Sequence, residues 1–222
     1  MATGAPTAMS TEAILTLTQW LSPAYPVGAF AYSHGLEAAA DAGQVTDAAT
    51  LRDWLETTLL HGAGWNDGLF LAAAYRAPDA DALAQIDATA RAFAASKERL
   101  LETNLQGNAF GAVTDAVWQT DLAALCYPVA VGRAAAIKAL PQDLTATLYL
   151  QAFISNLIAA GQRLLPIGQT EGQRLLRTLM PLCVRIAADT APGSLDQLGA
   201  SAFMGDIAAM RHETQHSRIF RT

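Results

Sequence analysis

Strand-type alternation of apolar and polar residues is nearly absent from this 222-residue chain, which argues against a sheet as its organising element. Charge is scarce as well. Only 15% of residues are Asp, Glu, Lys or Arg, and they sum to −6, with no basic stripe carrying interleaved aromatics, so a nucleic-acid partner is excluded as an expectation. No GxxxxGK[ST] run is present to cradle a nucleotide phosphate, and no GxSxG marks a serine nucleophile. The two cysteines, Cys126 and Cys183, stand far apart and in no metal-ligand spacing. Reduced, buried thiols are their default reading, with a disulfide left open. The start, MATGAPTAMS, has neither a basic residue nor an apolar core, so no export signal is read there and residues 1–9 are expected to be a disordered extension. No repeat period and no long polar linker divide the chain, which points to a single domain.

What is plentiful is apolar side chain, 52% by count. Either a large Ala-rich helical core uses it, or partner subunits cover part of it. The segment Leu144 to Gln162 carries no charge over 19 residues, but its Gln151, Ser155 and Asn156 would need partners in lipid, so it reads as a core or interface helix and no membrane is expected.

Helical spacing accounts for nearly everything else, and the expectation is an all-α domain of about ten helices. A first helix over Thr11 to Leu21 would turn Ile14, Leu15, Thr18 and Leu21 inward. Asp47 caps a helix running to about His61, with Leu51, Leu55, Thr58 and Leu59 inside. Glycines 62, 64 and 68 are expected to loosen the chain before Leu69 to Arg76 resumes helix. Pro78 and Asp79 start the next, and Asp81 to Phe110 reads as one long helix or two broken near Ser96. Its inner faces would hold Ile86, Ala90, Phe93 and Ala94, then Leu100, Leu101 and Leu105, leaving Lys97, Glu98, Arg99 and Glu102 in solvent. Pro128 and Pro141 open two more helices, Pro181 kinks or divides a helix from Thr170 to about Ala188, and a last one covers Ser201 to Met210.

Three stretches stand out from this helical background. In Ser22 to Glu37, SPAYPVGAFAYSHGLE, Pro23, Pro26 and Gly28 force a turn, yet Tyr25, Val27, Phe30 and Tyr32 would be costly to leave in water. The loop is therefore expected to be buried, by this chain or another, with Ser33 capping a helix from His34. The run RLLPIGQT, residues 163–170, reads as a turn packed against that loop. The end, Arg211 to Thr222, sets Arg211, Arg218 and Arg221 against the one acid Glu213 and presents Ile219 and Phe220, a composition that interface hot spots favour.

The same end contains His212-Glu213-Thr214-Gln215-His216, which fits HExxH. On a helix the imidazoles would share a metal at i and i+4, with the glutamate as base. A third ligand is needed, and six residues follow His216. A metal-binding or metal-dependent hydrolytic protein using His212 and His216 is accordingly the alternative function.

PVGAFAYSHGLE, AAGQRLLPIGQTEGQRLL and MRHETQHSRIFRT, in that order, resemble the signatures of the urease accessory UreF family. Between them ASKERLLETNLQGNAF and YPVAVGRAAA are similar to the family's central blocks, while Ala77 to Asp87 is less familiar; the resemblance covers about residues 10 to 222. It implies an all-helical cytoplasmic homodimer, without catalytic residues or a stably bound cofactor, that serves nickel insertion into apo-urease. It implies further that the dimer bridges UreD (UreH) and the GTPase UreG, coupling the GTPase state to metal delivery, with nickel handled by the wider complex. The partner-binding residues it points to are Pro26, Gly28, Phe30, Tyr32, Ser33 and His34 in the loop, and Arg211, His212, Glu213, Ser217, Arg218 and Phe220 in a docking tail over 211–222.

Overall fold

A computed structural model describes residues 10–122 and 124–221. The expectation for residues 1–9 lies outside them. Ten α-helices and no strand are present among the described residues: α1 (Thr11–Trp20), α2 (Leu36–Asp41), α3 (Ala48–His61), α4 (Ala63–Arg76), α5 (Ala80–Ala92), α6 (Lys97–Trp118), α7 (Tyr127–Ile137), α8 (Gln142–Leu164), α9 (Gln169–Asp189) and α10 (Phe203–His212). The all-α, single-domain reading therefore holds.

Side-chain caps set the starts of several helices. Asp47 and Thr50 form a reciprocal capping box on α3, Asp79 accepts from Ala82 N on α5, and Ser96 accepts from Arg99 N on α6. The break expected near Ser96 is thus the seam between α5 and α6. Around the centre, α4 is buried along most of its second half, Leu69 through Ala74, and lies against α7. The two backbones approach so closely that a Cβ on Gly132 would stand 2.2 Å from the Leu71 carbonyl oxygen. Helix α8, uncharged from Leu144 to Gln162, is the one described helix long and apolar enough to cross a membrane, but it turns Tyr149, Leu150, Ile154, Leu157 and Ile158 into the core and packs on α9 and α4.

Several details depart from the periodicity reading. In α1 the inner face is Ala13, Leu17 and Trp20, whereas Ile14 and Leu15 are exposed, because the ring of Trp20 docks edge-on against Phe110 and Trp118 and sets the helix rotation. Helix α4 begins at Ala63, so glycines 64 and 68 lie inside it, packed against Leu59 and Thr190, instead of loosening the chain. Pro181 neither divides nor ends α9; it sits on the exposed side, where the missing N–H costs least. Phe93, Leu101 and Leu105 are exposed, and the inward face of α6 is instead Glu102, Gln106, Gly107, Phe110, Gly111 and Thr114.

The tight α4–α7 contact makes a prediction. Gly132→Ala forces a methyl into backbone and is expected to cost about 1–3 kcal/mol in urea unfolding. Gly168→Ala, whose Cβ would meet nothing within 4 Å, is the neutral control.

Candidate functional site

The proline-broken loop is held mainly by its aromatic residues. Tyr25 and Tyr32 are buried, and the Tyr25 hydroxyl lies 2.8 Å from the Thr114 hydroxyl while its ring packs on Phe110. This chain, then, buries three of the loop's four large apolar side chains, Tyr25, Val27 and Tyr32, by itself. Phe30 is the exception at 73% exposed, pushed outward by a 3-10 turn over Ala29–Ala31 that follows Gly28 in the left-handed region. The expected Ser33 cap is not formed, because both His34 and Gly35 take positive φ (54° and 76°) and delay the helix to Leu36. A Cβ on Gly35 would come within 2.6 Å of Ala209 N, so α10 crosses directly over this bend. Ser33 is buried and its hydroxyl accepts from Glu37 N at 3.4 Å.

That crossing brings the chain end onto the loop. Glu37, only 5% exposed, accepts the Ile219 and Phe220 backbone N–H groups at 2.6 and 2.9 Å and lies 3.1 Å from His212 Nε2. Glu98 meets His212 Nδ1 at 2.7 Å and accepts from Arg218 Nη1 at 2.7 Å. Glu213 accepts from Lys97 N at the start of α6, at 2.8 Å. Beyond them Arg221 N donates to the Ala31 carbonyl at 2.8 Å, and Arg163 donates to the Phe30 carbonyl while its guanidinium lies 4.3 Å above the Phe220 ring. Loop, 163–170 turn and tail thus form one surface. Phe220, expected at an exposed tip, is buried within its own chain, and it is Ile219, at 59% exposed, that joins Phe30 on the outside. Pro26, Arg211, Ser217 and Arg218 are exposed.

The HETQH pair is not presented as a metal clamp. Helix α10 ends at His212, so His216 is not one helical turn above it. His212 is fully buried with both ring nitrogens against carboxylates, whereas His216 is exposed. The i, i+4 geometry that motivated the hydrolytic alternative is therefore lost.

Beneath the loop lies a polar cluster built on Arg99 and Glu102, two residues that the periodicity reading leaves in solvent. Arg99 is paired with Glu102, and His34 Nε2 sits 2.7 Å from Glu102 Oε1 and 2.8 Å from Arg99 Nη1, a nitrogen that can serve one of them at a time. Gln106 donates to Glu102 at 3.0 Å, and Tyr149 donates to Asp67 at 2.7 Å. Burial by itself would raise the Glu102 carboxyl, but the adjoining Arg99 and His34 hold it down to about 2. Burial, with Arg99 alongside, lowers His34. Asp67 has less compensation, and burial pushes it up to about 6. A cavity of about 310 Å³ opens beside this cluster, lined by Asp67, Arg99, Phe70, Phe93 and Met210 among others.

Glu37, Glu98 and Arg163 were missed as site residues. The one available signal was an acid, Glu37, in an otherwise apolar stretch, where a helix-dipole role accounted for it equally well.

Two outcomes follow from these carboxylates. Burial opposes ionisation of Glu37, but the two tail N–H groups and His212 outweigh it and lower its pKa below the usual 4.5. Its contribution is thus fully present above pH 4.5 and lost as pH falls through the lowered value. Glu37→Gln is expected to reduce amide protection at Ile219 and Phe220 by roughly tenfold or more, since a hydrogen bond to a charged group is worth about 1.5–3 kcal/mol; hydrogen exchange at neutral pH reads this. Asp67 has the opposite sign: its raised pKa means that stability falls as pH climbs from 3.8 through about 6. Asp67→Asn is accordingly expected to raise the unfolding temperature more at about pH 8 than at about pH 5.

Comparison with known proteins agrees with the signatures in the loop, turn and tail. The UreF family model matches residues 45–180, more than half of the chain. A urease accessory protein UreF from Ruegeria pomeroyi is 58% identical over 209 residues, 94% of this chain and 96% of that protein. Another from Roseobacter denitrificans is 55% identical over 96% of each chain, and one from Rhodopseudomonas palustris is 46% identical over 97% of this chain and 93% of its own. With the family model and full-length relatives in agreement, the chain belongs to the UreF family of urease accessory proteins.

Proposed function

We propose that this chain is a non-catalytic, dimeric scaffold of urease maturation, acting in the cytoplasm, whose loop-and-tail surface holds a UreD (UreH) subunit while the dimer also engages the GTPase UreG. The observation that carries this reading is the joining of Phe30 and Ile219, two large exposed apolar side chains, on one surface rimmed by Arg163, Arg218 and Arg221. An apolar centre with an arginine rim is the anatomy of a protein interface, and its anchors carry most of the binding energy. Phe220 supports the surface from below, as the group that seats the tail.

A scaffold of this kind needs no reactive group. Holding two partners in one assembly raises the concentration each experiences, and a greater affinity for one nucleotide state of the GTPase shifts its population toward that state. Nickel is then cargo of the whole assembly on its way to apo-urease, and this chain keeps no cofactor of its own.

The double variant Phe30→Ala/Ile219→Ala is expected to weaken capture of UreD by roughly 30-fold or more, the loss of one hot spot of about 2 kcal/mol. Both side chains are exposed, so the unfolding midpoint is expected to stay in place. Undiminished capture by a folded double variant would remove this surface from the interface.

A further inference from the structure

Within the buried polar cluster Arg99 answers Glu102, and Asp67 on α4 is left without a cation of its own. Asp67 Oδ2 accepts from Tyr149, but Oδ1 accepts no hydrogen bond among the described residues. The charged and titratable groups facing it are Arg99 and Glu102 of α6, His34 of the loop, Tyr149 of α8, Tyr127 of α7 with Cys126 before it, and Asp206 of α10. His34, Cys126 and the two tyrosines are neutral at pH 7, because burial lowers the first and raises the others. Arg99 is thus one cation among three carboxylates, Glu102, Asp67 and Asp206. A carboxylate so placed must gain a positive partner or be neutralised. Water can give Oδ1 a hydrogen bond but no compensating charge.

The cavity of about 310 Å³ lies against this oxygen-bearing side chain, at the lower end of the range for small-molecule pockets, about 300–1,000 Å³. Asp67, Arg99 and His34 form the wall between it and a smaller cavity of about 40 Å³. Phe93 and Met210, 40% and 52% exposed, line the larger one as well, so it reaches the surface between α5 and α10. Phe70 lines it from within, its ring edge-on to Phe93 with centroids 6.3 Å apart. Aromatic faces attract cations, and a thioether beside them accommodates hydrocarbon of varied shape.

The composition of the walls selects among cations. No group of three His, Cys, Asp or Glu side chains stands together among the described residues to hold a metal ion, and Arg99 would repel a double charge at this position. A singly charged organic head supplies what Asp67 lacks, an N–H donor and one positive charge, while its hydrocarbon body meets the apolar walls.

We propose that this cavity binds a small organic monocation, an alkylguanidinium or alkylammonium group, with its head on Asp67 and its body among Phe70, Phe93 and Met210. A dissolved amine or guanidine offers this chemistry, and so does an Arg or Lys side chain of a docking protein.

n-Butylguanidinium is the probe. Calorimetric titration of the full chain at about pH 7.5 is expected to give one site with a Kd of about 1 mM or tighter. n-Butylurea, of the same shape without the charge, is expected to bind roughly tenfold more weakly or worse. Asp67 must be ionised to hold the probe and its carboxyl lies at about 6, so affinity is expected to fall roughly tenfold between about pH 7.5 and about pH 5. Asp67→Asn is expected to abolish binding with helicity unchanged, and Asp81→Asn, exposed on α5, to leave it intact. A probe that binds no better than n-butylurea, or that binds a folded Asp67→Asn variant as well as the wild type, overturns the assignment. Saturating probe that lowers capture of UreD or UreG at matched ionic strength assigns the head to a side chain of that partner; unchanged capture assigns it to a dissolved cation.

Discussion

Glu37 is a carboxylate placed where water hardly reaches, and it must find donors or be neutralised. It finds them at the far end of the chain: two backbone N–H groups at Ile219 and Phe220, 182 and 183 residues away, with His212 alongside. The requirement is reciprocal, since amides buried against Glu37 would be costly without an acceptor. Satisfying this one group determines where the tail runs, which side of α10 faces inward, and which apolar side chains remain outside. Glu98 repeats the device a short distance away by taking His212 on one oxygen and Arg218 on the other.

The buried polar cluster under the loop obeys the same rule with side chains alone. Arg99 and Glu102 share a low-dielectric site with His34 and Gln106, so each charge has a partner and breaking one leaves the other exposed to the full desolvation penalty. Asp67 is the less compensated member, bordering a cavity, and its carboxyl rises where that of Glu102 falls. The cluster joins α4, α6, α8 and the loop at a single point, which ties the outward-facing Phe30 to a rigid base.

A division of labour follows from these constraints. The polar groups that most invite a chemical reading, His212 above all, are consumed in holding the tail. Among the groups left exposed beside them are two large apolar side chains, Phe30 and Ile219. A protein that works by being held and by holding has this distribution, and membership of the UreF family is in keeping with it.

By itself the sequence determined the helical class, the breaks at Asp47, Asp79, Ser96 and Pro141, and the special status of the loop and the tail. Those depend on local causes: capping side chains, proline's missing N–H, and apolar residues in a broken stretch. It did not reveal which face of α1 or α6 turns inward, because Ile14, Leu15 and Leu101 satisfy helical spacing as well as the residues that are buried. Nor could it place Arg99 and Glu102, whose charges read as solvent-exposed until a partner from 68 positions away, His34, closes over Glu102. The HETQH motif misled for a related reason, since its five residues fit a helical metal clamp, while the point at which α10 ends is decided by contacts with Glu37 and Glu98. Periodicity records how a helix repeats; rotation, burial of charge and the meeting of distant segments depend on neighbours that only the folded chain supplies.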